Sequence, residues 1–61
     1  SATETQVLRL LCANKSNAEI GEILNIKLAT VKTHVSPILY KLGLKRRSEV
    51  RDAAIRLHLI R

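Results

Sequence analysis

Apolar residues fall into four clusters along the chain, each repeating at three- and four-residue spacing. They are Val7, Leu8, Leu10 and Leu11; Ile20, Ile23 and Leu24; Val31, Val35, Ile38, Leu39 and Leu42; and Val50, Ala53, Ala54 and Leu57. That spacing puts each cluster on one face of an α-helix. Polar residues mark the ends. Ser1-Ala2-Thr3-Glu4 and Ser16-Asn17-Ala18-Glu19 are both capping-box patterns, in which a hydroxyl and a glutamate satisfy each other's free N–H groups. The first helix is expected to close near Ala13-Asn14-Lys15 and the second at Asn25, a residue that tolerates a left-handed turn. Ile26 then tucks under that turn. The third helix starts around Lys27 to Ala29, runs to Leu42 and ends on Gly43 in the C′ role. Ser48 is the expected N-cap of the fourth, with Glu49 just inside to meet the positive helix end. Val50, Ala53, Ala54 and Leu57 face inward from it, and Leu59 and Ile60 pack beneath. The fold class is therefore all-α, a single four-helix domain over residues 1–61, with no repeat, linker or low-complexity tract.

Pro37 interrupts this regularity, standing inside the third helix. A proline there removes one N–H and crowds the Thr33 carbonyl, at a cost of about 3 kcal/mol in a regular interior. On a helical wheel its ring lies roughly 240° from Val31, whereas Val35, Ile38, Leu39 and Leu42 lie within about 80° of Val31. The ring thus points away from the core stripe, and a bend there is convex toward solvent. A continuous but kinked helix over residues 28–42 is expected. Two separate helices, with Ile38 displaced from the core, are the contrary outcome.

The second and third segments are joined by a very short connection. Small Gly21, apolar Leu24, turn residue Asn25, apolar Ile26 and apolar Val31 follow in order. A helix-turn-helix needs a small residue in its first helix so that the second can cross closely, and a turn residue permissive of positive φ. An ordinary αα-hairpin is the alternative. The face of the third helix opposite its apolar stripe collects Thr33, Ser36, Pro37 and Tyr40. Lys32 flanks it on one side, Thr30 and Lys41 on the other, and it carries no acid. Such a face suits the base edges and phosphates of a DNA major groove. Lys32 can reach guanine acceptors, the Thr33 methyl can meet a thymine methyl, and Ser36 can donate or accept. His34 lies between the two faces and is expected to pack at the junction of the second and third helices.

Charge sharpens that reading. Eleven basic residues against five acidic give a net +6. Through Ile26, Arg9 and Lys15 stand against Glu4, Glu19 and Glu22, a net of −1; from Lys27 onward nine cations stand against Glu49 and Asp52, a net of +7. A polyanion facing the second half is implied. Lys41, Lys45, Arg46 and Arg47 would meet phosphates and set salt dependence rather than sequence preference. Other classes lose ground. Cys12 is the only cysteine, so no disulfide forms, and its apolar setting argues for an inert thiol in a reducing cytosol. Paired carboxylates, a metal cluster and a nucleophile with a base are all missing, so no enzyme and no cofactor are expected. No apolar run approaches the roughly 20 residues of a membrane span.

The stretch "SNAEIGEILNIKLATVKTHVSPILYKLGLKRRSEV" resembles the DNA-binding domain of the LuxR-type regulators, which includes the output domains of NarL/FixJ-class response regulators. The runs "SNAEI", "TVKTHV", "IL" then "KLG", and "RSE" carry the likeness, which covers essentially the whole chain. It implies a recognition helix in the major groove and dimeric binding to paired half-sites. Base-contacting positions of the family fall on Lys32, Thr33 and Ser36. Backbone-contacting positions fall on Ser16, Asn17, Thr30, Lys41, Lys45, Arg46 and Arg47. In many members the last helix forms the dimer contact, here Val50, Arg51, Ala54 and Ile55 or neighbours. Two departures stand out: Asn25 replaces the usual Gly of the turn, and Lys27 replaces a common Ser cap. The apolar residue that normally precedes the first cap is also missing, which implies an excised domain of a longer regulator.

The expected function is sequence-specific double-stranded DNA binding by a bacterial, cytoplasmic transcription regulator. Expected partners are double-stranded DNA, a second copy of the chain and RNA polymerase, with no membrane and no small-molecule ligand for this domain. The alternative is a sigma-factor-like helix-turn-helix that docks on the transcription machinery, for which an apolar patch on the exposed face would be diagnostic.

Overall fold

A computed structural model describes residues 2–59; the Ser1 half of the first capping box, and Ile60, lie outside them. Four α-helices are present among the described residues: α1 (Ala2–Cys12), α2 (Asn17–Leu24), α3 (Leu28–Leu42) and α4 (Val50–Arg56). A single 3₁₀ turn, Arg47–Glu49, leads into α4. Helix α3 is central and packs against each of the other three. Val7, Leu11, Ile20, Val31, Val35, Ile38 and Val50 form the core, sealed by Leu8, Leu10, Leu24, Ile26, Leu39, Leu42 and Leu44 at its edges.

Helix α2 opens as its sequence predicts. The Glu19 N–H donates to Ser16 Oγ at 3.1 Å, and the Ser16 N–H donates to Glu19 Oε1 at 2.9 Å. Both ends of the capping box are closed. Helix α3, by contrast, begins at Lys27 without any side-chain cap. It then continues through Pro37 as one helix, with Pro37 exposed and Ile38 buried, so the two-helix outcome does not occur. One turn earlier, the Thr33 hydroxyl donates to the Ala29 carbonyl at 3.0 Å.

All four helices close in the same way. Asn14, Asn25, Gly43 and His58 take positive φ of 65°, 56°, 67° and 61°. The following residue then donates its N–H back across the last turn: Lys15 to Leu10, Ile26 to Gly21, Leu44 to Leu39 and Leu59 to Ala54, at 2.8–3.0 Å. This is the Schellman arrangement, which consumes carbonyls that a helix end would otherwise leave open. Gly and Asn are the most frequent left-handed residues, and His58 takes the same conformation at the end of α4.

The start of α4 departs from expectation. Ser48 is not the cap but lies inside the 3₁₀ turn, whose own cap position is taken by Arg46, and Glu49 directly precedes α4. The Arg46 N–H donates to Glu49 Oε1 at 3.2 Å, and the Glu49 N–H donates to the Arg46 carbonyl at 3.2 Å. A glutamate three residues on can serve a cap N–H whatever the cap side chain is, and here it selects the earlier position. At the other end, Val50, Ala53 and Ala54 are buried as expected, but Leu57 is 51% exposed. The helical path ends at Arg56, so Leu57 leaves the phase that would have carried it inward. Leu59 does reach a shallow groove lined by Leu8, Ile38 and Leu42, yet it stays 53% exposed rather than packing beneath the helix.

The crossing of α2 and α3 depends on Gly21, which is buried. A Cβ added there would stand 2.9 Å from the Ile26 carbonyl oxygen and 3.6 Å from Val31 Cγ2. Because the nearer atom belongs to the backbone of the turn, relief requires α3 to shift. Overpacking of this kind costs about 1–3 kcal/mol, against a helix-propensity gain of at most about 1 kcal/mol. Gly21→Ala is therefore expected to lower the urea midpoint at unchanged slope. A variant as stable as the wild type would show that the crossing is not this close.

Candidate nucleic-acid interface

Helix α3 presents Thr30, Lys32, Thr33, Ser36, Pro37, Tyr40 and Lys41 to solvent, and no acid lies anywhere along it. Lys32, Thr33 and Ser36 stand together on the first half of that surface. The Thr33 hydroxyl is turned back onto the Ala29 carbonyl, so its donor is spent within the helix. His34 is half-buried at the border of the face, as its intermediate position on the wheel implies.

Beside this face, Lys32 and Ser36 share a shallow cleft with Asn17, Val35, Leu39 and Arg47. The structure thus gathers side chains from α2, α3 and the 3₁₀ turn into one surface. Arg47 is the link. Its guanidinium donates to Asn17 Oδ1 and to the Lys15 carbonyl oxygen, joining the loop before α4 to the α1–α2 connection. In the sequence Arg47 belongs to a cationic run with Lys45 and Arg46. Those two are exposed, whereas Arg47 is half-buried and much of its donor capacity is committed to the fold. Asn17 is fixed by the same contact: with Oδ1 occupied, its amide N–H groups remain to meet an acceptor. Ser16 is committed in part too, since its hydroxyl accepts the Glu19 N–H.

Lys41 has a partner that the helical wheel could not reveal. Its Nζ lies 3.0 and 3.3 Å from the two carboxylate oxygens of Glu4 on α1. The ammonium has three donors, so a further acceptor can still be met. The hydrogen bond and charge of Lys41 hold the Glu4 carboxyl below its ordinary range. Glu19 is also held low, by the Ser16 N–H and hydroxyl.

Val50 and Ala54, two of the four residues assigned to a dimer contact on family grounds, are each 0% exposed. They are core residues of α4, and only Arg51 and Ile55 of that set face outward. A short helix has room for few apolar positions, and packing against α1 and α3 claims these two. Cys12 is half-buried; burial pushes its thiol up, and the Arg51 charge opposes this in part. The thiolate needed for nucleophilic chemistry is thereby disfavoured. Among the described residues, no group of three His, Cys, Asp or Glu could hold a metal ion, and no helix is long and apolar enough to cross a membrane.

Two outcomes follow from these contacts. Arg47→Lys should lose the two-pronged link to Asn17 and Lys15, because an ammonium cannot reproduce the planar fork. A stability loss of about 1–3 kcal/mol in chemical denaturation is expected, and an unchanged midpoint would mean the link carries nothing. Glu4 and Glu19 both titrate below their ordinary range in the fold, so each stabilises above the ordinary glutamate value and ceases to do so as pH falls beneath it. Melting temperature should decline as pH drops below about 4.3, and Glu4→Gln should shallow that decline. An acid limb identical in the variant would contradict the Glu4–Lys41 pairing.

The pattern of "Bacterial regulatory proteins, luxR family" matches residues 1–54. The chain is 44% identical over 57 residues to the transcriptional regulatory protein LiaR of Bacillus subtilis, covering 93% of this chain and 27% of LiaR. It is 41% identical over 49 residues to the putative HTH-type transcriptional regulator YhjB of Escherichia coli, covering 80% and 24%. With the oxygen regulatory protein NreC of Staphylococcus aureus it shares 35% over 60 residues, covering 98% and 28%. The chain spans roughly a quarter of the length of these relatives. With its Gly21–Asn25 helix-turn-helix and this match, the chain belongs to the luxR family of bacterial regulatory proteins.

Proposed function

We propose that the chain binds double-stranded DNA sequence-specifically as the output domain of a transcription regulator, with α3 in the major groove. The observation that carries this reading is the acid-free face of α3, where Lys32, Thr33 and Ser36 are exposed beside Asn17 and Arg47. Relatives named as transcriptional regulators support it. Lys32 Nζ donates to guanine O6 and N7, the Thr33 methyl meets a thymine methyl, and the Ser36 hydroxyl donates or accepts at a base edge. Thr30, Lys45, Arg46 and the amide of Asn17 meet phosphates, as do the Ser16 hydroxyl and the remaining donors of Lys41. Arg47 acts mainly by holding Asn17 in place.

Two copies on paired half-sites would double these contacts. Arg51 and Ile55, exposed on α4 together with Asp52 and Arg56, are open to such a partner. In a longer regulator, control of that pairing falls to the rest of the protein. Catalysis plays no part, in keeping with a family of regulatory proteins.

Lys32→Ala tests the reading directly, with affinities measured on a preferred and a scrambled duplex at two salt concentrations. Loss of a guanine contact should cost about 1–3 kcal/mol on the preferred duplex and much less on the scrambled one. A parallel loss on both would make Lys32 a phosphate contact. Absence of binding to any duplex at low salt, by wild type and variant alike, would instead favour a module that docks on protein.

A further inference from the structure

Tyr40 is 87% exposed, more than any other large apolar side chain described. No hydrogen bond to its phenol is present among the described residues. An aromatic ring left so fully in water gains from any partner that covers it. The ring does not stand in an apolar patch: Ser36 and Lys41, both exposed, adjoin it, and Lys32 lies on the same side of the helix. Pro37, one turn earlier and also exposed, adds a second apolar surface.

We propose that Tyr40, with the Pro37 ring beside it, is a second reading element of α3. It takes the methyl group of a thymine lying outboard of the bases met by Lys32, Thr33 and Ser36. The inference rests on the DNA-binding function proposed above. On a helical wheel Tyr40 points about 180° from Val31, between Ser36 at about 140° and Thr33 at about 200°, so it shares their direction. It lies four residues beyond Ser36, about 6 Å along the helix axis, which corresponds to roughly two base steps of 3.4 Å. The floor of a major groove curves away from a straight helix over that distance. Short side chains such as Ser lose contact there, and a phenol ring is long enough to span the gap. Its face is apolar, and the one apolar group on a base edge in the major groove is the thymine methyl. The neighbouring cation cannot take the role, because Lys41 is drawn toward Glu4 on α1.

The test uses the preferred duplex obtained by selection from random DNA. Each thymine is replaced singly by deoxyuridine, which removes only the methyl. Binding of the wild type, Tyr40→Ala and Tyr40→Phe is measured at fixed salt, with thermal melts of each protein alongside. Burying one methyl is worth about fourfold in affinity. One thymine about two base steps beyond the base met by Ser36, on the side away from the Lys32-sensitive bases, should therefore cost the wild type about fourfold when demethylated. Tyr40→Ala should lose a similar factor on the intact duplex and become indifferent to that methyl. Tyr40→Phe should keep the methyl effect, since it keeps the ring, and all three proteins should melt alike. The proposal is overturned if the selected site has no thymine there, or if Tyr40→Ala retains the wild-type response to deoxyuridine. It is equally overturned if Tyr40→Ala loses affinity by the same factor on every sequence. Each of these leaves DNA binding itself intact; a wild type that selects no sequence removes both readings together.

Discussion

The contact between Gly21 and the turn that follows it fixes the aim of everything on α3. The Gly21 carbonyl accepts the Ile26 N–H at 2.9 Å, and the space a Cβ would fill lies 2.9 Å from the Ile26 carbonyl oxygen. Asn25 makes this possible by entering the left-handed region, so that the chain reverses within a few residues and Val31 comes down beside α2. With the crossing set, the phase of α3 decides the rest. Val31, Val35 and Ile38 go inward, and Lys32, Thr33 and Ser36 go outward. A larger residue at Gly21 would move the outward set as well as the core.

A chain this small has few means of holding such an arrangement. Its core is aliphatic throughout, and no staple supplements it. What it has instead is economy at the helix ends. Each of the four helices closes on a left-handed residue with a bond back across its last turn, and in three of the four cases the donor is apolar: Ile26, Leu44 and Leu59. Ile26 and Leu44 then pack against the core, so one short segment both ends a helix and covers its neighbours. Two polar links add to this across the surface, Glu4 to Lys41 and Arg47 to Asn17. Both tie a group beside the exposed face of α3 back to the body of the domain. The proposed interface is accordingly less a loose cationic surface than a set of side chains already positioned by the fold.

The helices, the second capping box, the close crossing and the exposed face of α3 were legible in the residues, because each depends on local spacing. The errors arose where long-range packing chose between local options. Ser48 looks like a cap, but Glu49 reaches the Arg46 N–H and the helix starts differently. Leu57 sits in phase with Val50 and Ala54, yet the helix ends first, for reasons lodged in the His58 turn. Val50 and Ala54 could not be divided from Arg51 and Ile55 by family likeness, since that concerns a second copy and the core concerns this one. The ties of Lys41 and Arg47 are not visible in local sequence because their partners, Glu4 and Asn17, lie 37 and 30 residues away. No helical wheel spans such distances.

Mapping of amide resonances during titration with DNA reports which surface of the domain meets the duplex. With ¹⁵N-labelled protein and a duplex carrying the preferred sequence, the largest shifts should fall on residues 30–40 of α3 and on the start of α2 at Asn17. The amides of α1 should change little. Shifts concentrated on α4 around Arg51 and Ile55, with the outward face of α3 undisturbed, would show that α3 does not enter the groove.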